Sequence, residues 1–144
     1  MAPRTLTELR TEQSELLFLH GCLDAAETTF VSPDSFPLQV GLLVFGPGRE
    51  VKRHRHAMIG RQIPFTCEVL IVTAGSLEFF VWDYDHPDKL LSNGVATTGE
   101  ILLFGRVAHS FRSRGEARVL EVKQGPYLGP RDKEMLDAGT GSER

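Results

Sequence analysis

The sequence predicts an all-β domain, either a sandwich or a small closed barrel, and three observations carry that prediction. The apolar runs are short and rich in Val, Leu, Ile and Phe, the composition that suits a pleated, half-buried surface. Turn formers separate them at Gly46-Pro47-Gly48, Ala74-Gly75, Asn93-Gly94, Gly99 and Gly115. No apolar period of 3.6 residues is sustained for about ten residues or more between positions 38 and 124. Many short strands in about 100 residues must cover one another as a sandwich or barrel.

The elements follow in chain order. Thr5 followed by Glu8 has the spacing of a capping box, so a short helix is expected over 6–15. The runs Leu16–Leu19, Phe30–Val31, Leu38–Phe45, Val69–Thr73, Leu77–Trp82, Ile101–Phe104 and Val119–Val122 read as strands. Asn93-Gly94 reads as a hairpin turn, since a type I′ turn needs positive φ at both central residues. The end, DAGTGSER, is small and polar and reads as frayed. The expected division is an N-terminal helix and arm over 1–37, a β domain over 38–127 and a tail over 128–144.

A chain of 144 residues and net charge −3, with 41% hydrophobic and 24% charged residues, suits one globular domain rather than a disordered one. The acidic balance argues against nucleic acid as a partner. No apolar window is long enough for a membrane helix, and the start lacks the apolar core of a secretory signal. Two cysteines, Cys22 and Cys67, cannot build a disulfide framework, so a cytoplasmic location is expected.

Chemistry concentrates in a few side chains. His54 and His56 flank Arg55, and on a strand residues two apart share a face. The pair is either two ligands of one metal ion or two solvated histidines in a basic stretch. Glu68 opens an apolar run, and His109 follows a strand and a turn at Gly105. Imidazoles with a carboxylate suit Fe, Mn, Ni, Zn or Co as one divalent ion. Lys52 and Arg61 could offer positive charge to an anionic substrate, and Trp82 and Phe111 an apolar wall. Glu121 and Lys123 alternate with Val122, so they share one face. If it looks inward, burial forces them to pair or to shift their pKa values; if outward, they form a surface pair. Tyr127 either closes a pocket mouth or packs outside. Cys67, adjacent to Glu68, should point to the opposite face as a structural cysteine.

The ordered residues Gly48, His54, His56, Glu68 and Gly75, followed by Gly99 and His109, resemble the two motifs of the cupins over roughly 38–124. The resemblance implies an antiparallel β-barrel of the jelly-roll (double-stranded β-helix) type. It also implies one divalent metal held by His54, His56, Glu68 and His109. Eleven residues separate His56 from Glu68, more than the family pattern has, so a loop at the barrel mouth is expected. The stretch Glu121–Tyr127 is similar to small cupins of bacterial polysaccharide and natural-product pathways. The resemblance further implies an enzyme acting on a small sugar-like or hydroxy/oxo-acid substrate. Metal-assisted proton transfer of the lyase, isomerase or epimerase type would use Glu121, Lys123 and Tyr127. A non-haem iron dioxygenase and a non-catalytic small-molecule binder are the alternatives. A homodimer is expected, since small cupins often dimerise by strand exchange or sheet packing.

Overall fold

The computed structural model describes residues 6–136. Ten strands are ordered along the chain: β1 (Thr7–Arg10), β2 (Leu16–Gly21), β3 (Thr29–Phe30), β4 (Gly41–Leu42), β5 (Glu68–Ala74), β6 (Ser76–Asp83), β7 (Leu90–Thr97), β8 (Ile101–Phe104), β9 (Val107–Ser113) and β10 (Arg118–Lys123). A single 3-10 turn, Gly129–Asp132, follows. The strands form a five-stranded sheet in the order β1-β2-β8-β5-β10, a three-stranded sheet in the order β7-β6-β9, and the short ladder β3-β4. All pairings are antiparallel.

The predicted all-β class is therefore found, but three expectations are corrected. No closed barrel forms: no ladder joins the five-stranded to the three-stranded sheet, so each keeps its edges and the two pack as layers. The expected helix over 6–15 is not there either. Residues 7–10 pair with 16–20 across a turn in which Ser14 has φ 68°. The physical reason lies in Leu6 and Leu9. Three apart on an extended chain, they face opposite ways, and each packs against a different apolar cluster. Burial on two sides outweighs a single cap. Thr5, the cap residue, lies outside the described residues, as do 137–144 of the tail.

The first cluster lies between the two sheets. Phe18, Leu70, Val72, Leu102 and Phe104 come from the large sheet; Leu77, Phe79, Val81, Ala96 and Val107 come from the small sheet and the start of β9. The second cluster, with Leu19, Cys67, Val69 and Leu103, lies on the other face of the large sheet, where Phe36, Val31, Leu38 and Phe65 cover it. The chain passes from one sheet to the other at Gly75, between β5 and β6. Its φ is 78°, and an added Cβ would lie 2.3 Å from the Glu116 carbonyl oxygen, so only glycine fits this corner.

Asn93-Gly94 is not the expected turn. Both residues lie within β7, paired with Phe80 and Phe79. A Cβ at Gly94 would approach Phe79 Cζ to 2.9 Å. The glycine is there to let the buried ring lie flat against the neighbouring strand.

Candidate functional site

Glu68 is one of two buried polar residues, at 8% exposure, among the described residues. It opens β5 and faces Phe104 on β8 to one side and Lys123 on β10 to the other. Directly opposed residues share a face, so Glu68, Phe104 and Lys123 point the same way, and Glu121 follows one rung on, opposite Leu70. That is the face of Leu70, Val72 and Phe104, the one that looks at the second sheet. Glu121 and Lys123 thus lie on the face turned toward the second sheet, Glu121 exposed and Lys123 half-buried.

From the small sheet His109 enters the same space. It stands opposite Val81 on β6, and its ring stacks on Phe104 with centroids 4.1 Å apart and 13° between planes. Its Nε2 lies 3.5 Å from Glu68 Oε2. On the other side, Lys123 Nζ lies 3.5 Å from Glu121 Oε1 and 4.0 Å from Asp132 Oδ2. Tyr127, 64% exposed, places its ring 6.0 Å from the same ammonium. The result is a cluster of three carboxyls, one imidazole and one ammonium at the end of the inter-sheet space.

Burial pushes the Glu68 carboxyl up, but three partners together outweigh it and leave it below the usual carboxylate range. These are the hydrogen bond and charge of His109, a side-chain hydrogen bond with Glu121, and the charge of Lys123. His109 Nδ1 is buried with no hydrogen-bond partner among the described residues, the only such side-chain atom. A buried ring nitrogen left without a partner costs about 1–3 kcal/mol, so it marks a point at which a ligand gains affinity.

The other residues singled out in the sequence lie elsewhere. His54 and His56 stand on the loop between β4 and β5, both exposed. Their rings are 5.4 Å apart at 75°. His54 Nδ1 donates to the Lys52 carbonyl at 2.8 Å, since a carbonyl only accepts; Nε2 is then the basic nitrogen. Lys52 and Arg61 are on the same loop and exposed. Phe111 shares the inward face with its partner Phe79 and lies 6.4 Å from the His109 ring. Trp82 is on the opposite face, stacked on Phe80 at 5.9 Å, and does not line the cluster. An open cleft of about 530 Å³ at the root of the loop, lined by Thr28, Val44, Phe45 and Arg49 among others, contains none of the cluster residues.

Two residues here escaped sequence reasoning. Asp132 is brought in by the 3-10 turn that begins at Gly129-Pro130, a turn signal that was available in the sequence. Gln124 accepts from the Cys67 N–H at 2.7 Å and so fixes the start of β5 next to Glu68. A lone Gln after a strand carries no signal of that role. Cys67 itself is buried, and burial, partly opposed by the Gln124 hydrogen bond, pushes its thiol up to about 11. It is a structural cysteine rather than a nucleophile.

The donors for a metal ion thus come in two pairs, Glu68 with His109 inside and His54 with His56 outside. Among the described residues no group of three or more His, Cys, Asp or Glu side chains converges on one point. The unmatched His109 Nδ1 and the oriented His54 Nε2 each have the chemistry of a ligand atom, so the donor types fit a divalent ion, while the four-donor shell is not assembled in this arrangement. Comparison with family models, with characterised proteins and with solved structures gives no match for this chain. No helix among the described residues is long and apolar enough to cross a membrane.

Proposed function

We propose that this protein is a cupin-type enzyme that moves protons on a small polar substrate, of the sugar-like or hydroxy/oxo-acid class, at the Glu68–His109–Glu121–Lys123 cluster. The observation that carries the reading is a buried carboxyl set between an imidazole, a second carboxyl and an ammonium at the end of a sandwich. Structural burial alone does not favour such a set. A carboxyl at 8% exposure and a lysine whose side chain is 14% exposed each cost several kcal/mol to draw out of water, and apolar side chains would fill the space more cheaply. Groups poised to give and take protons are the usual reason to keep them.

In this reading Lys123 holds an anionic oxygen of the substrate and stabilises the negative charge that builds up as a proton leaves carbon. Glu121, in reach of the Glu68 carboxyl, takes that proton and can return it to the neighbouring carbon or to a leaving oxygen. Tyr127 stands at the open side, next to Lys123, and limits water entry. Phe104 and Phe111 form the apolar wall beside His109. A divalent ion would be held by Glu68 and His109 together with His54 and His56, and would polarise the substrate oxygen as a Lewis acid.

The test is deuterium exchange followed by NMR. A panel of sugars and hydroxy or oxo acids is incubated with the protein in D₂O, with and without added Mn, Fe, Ni, Co or Zn. The expected result is exchange at one carbon-bound hydrogen, lost in Glu121→Gln and Lys123→Met. Oxygen uptake without exchange would move the reading to the dioxygenase. Binding with neither would reduce it to a small-molecule binder.

A further inference from the structure

Residues 45–64 are twenty consecutive exposed positions with no helix or strand, an unusual length of unstructured chain for a compact domain. Val51, Met58, Ile59 and Ile63 lie exposed along the segment. It is also the basic part of the molecule. Arg49, Lys52, Arg53, Arg55 and Arg61 against Glu50 give it +4, which leaves −7 on the rest of a chain whose net charge is −3. His54 and His56 stand at its middle, at the largest reach from both anchored ends.

The body of the molecule has the matching features. The inter-sheet cluster sets three carboxyls against one ammonium. Next to it β10 is an edge strand among the described residues, with Leu120 and Val122 exposed on the outer face. The same outer face is covered over the neighbouring strands by residues from 31 to 40 and by Phe65, but that cover stops short of β10.

We propose that the 45–64 segment is an exchange arm. It docks on the β10 edge of a second copy and delivers His54 and His56 to the partner's Glu68–His109 pair. The site-sharing half of this proposal rests on the reading above, that the four donors hold one ion. Three observations point to a second copy as the occupant. The arm and the acidic cluster are complementary in charge, which favours and steers their association. The arm's apolar side chains and the bare β10 strip are both left exposed by one copy alone. Within one chain, the donors stand as two separate pairs, and His54 already has its Nε2 set free for a ligand. Reciprocal exchange about a two-fold axis buries both arms and completes two sites at once.

Two experiments test it. Sedimentation of the full chain at micromolar concentration should give twice the 16.0 kDa chain mass. Arg53→Glu combined with Arg55→Glu, both exposed and without structural duty, should weaken the dimer at least tenfold. A monomer throughout, or a dimer indifferent to those reversals, overturns the arm. The second experiment is complementation, read by bound metal after adding Zn or Mn and gel filtration. One variant carries His54→Ala and His56→Ala, the other Glu68→Gln and His109→Gln. Each alone should bind none. After unfolding and refolding together, the mixture should regain metal on about a quarter of its chains, because half of the dimers are mixed and each mixed dimer has one intact site. No recovery beside a wild type that binds metal means that the donors meet within one chain, and overturns the exchange of ligands. A wild type that dimerises through the arm but takes up no metal defeats the four-donor reading and leaves the docking in place.

Discussion

Replacing Lys123 by Met removes the ammonium from the cluster, and the structure sets the size of the effect. The ammonium stands 3.5 Å from Glu121 and 4.0 Å from Asp132. At an effective dielectric near 20 each contact is worth about 4 kcal/mol of gross attraction. Desolvation of the ammonium offsets most of that, several kcal/mol for one ion. Met keeps most of the stem packing, so a net loss of about 2–4 kcal/mol is expected at pH 7. With a urea slope of about 1–3 kcal/mol per molar for a domain of this size, the midpoint should fall by about 1–2 M. The loss must depend on pH with a definite sign. Glu68 has a lowered folded-state pKa, and the Lys123 charge is among the causes. The stabilisation of a lowered carboxyl is complete above its ordinary value of 4.5 and is lost as pH falls through the folded value. The penalty of Lys123→Met should therefore be full at pH 7 and shrink below pH 4.5. Equilibrium urea unfolding at several pH values measures it. A penalty of the same size at every pH, or a variant more stable than the wild type at pH 7, would refute a cluster bound together by this charge.

Other outcomes are set by local geometry. Gly94→Ala should cost about 1–3 kcal/mol by overpacking against Phe79, whereas a strand glycine with free space would gain stability with the same change. In a Phe79→Ala background the Gly94→Ala penalty should vanish, and thermal unfolding of the four proteins reads the coupling. Glu100→Ala should cost about 1–3 kcal/mol at neutral pH, because Glu100 accepts from the Thr97 N–H at 2.7 Å and contacts His20 Nε2 at 3.2 Å. Burial raises that carboxyl, the Thr97 and His20 contacts more than compensate, and its lowered value means that the cost fades in acid. With a thiol reagent at pH 8, Cys67 should stay unlabelled until the chain is unfolded, given a thiol pushed up to about 11. Mass spectrometry of the labelled peptides reads it.

How much of the molecule was legible in the sequence varies with the kind of signal. The strands over Leu16–Leu19, Val69–Thr73, Leu77–Trp82, Ile101–Phe104 and Val119–Val122 show as apolar runs because each is buried on at least one face. Strands β7 and β9 did not. β7 carries Ser92, Asn93 and Gly94 in its middle, and β9 is polar and exposed over its second half. Both belong to the small sheet, where cross-strand pairing rather than burial fixes the residues. Spacing in the cluster was legible only in part. The alternation of Glu121 and Lys123 gave a shared face, but which face depends on Leu70 across the ladder, a partner about 50 residues away. The pairing of Glu68 with His109 joins two sheets, and no local pattern encodes that. The position of His54 and His56 depends on a loop whose own residues form no ladder, so strand periodicity says nothing about them.

The order of strands in the large sheet has a consequence for how the molecule comes together. β5 lies between β8 and β10, both of which are made after it. A growing chain therefore carries Glu68 for more than fifty residues before its ammonium neighbour exists. Until then the carboxylate is better off in water, and β5 has no electrostatic reason to tuck its first residue inside. Closing that corner is an act of the last strand, so the charged end of the sandwich is assembled after the apolar layer beneath it has its parts.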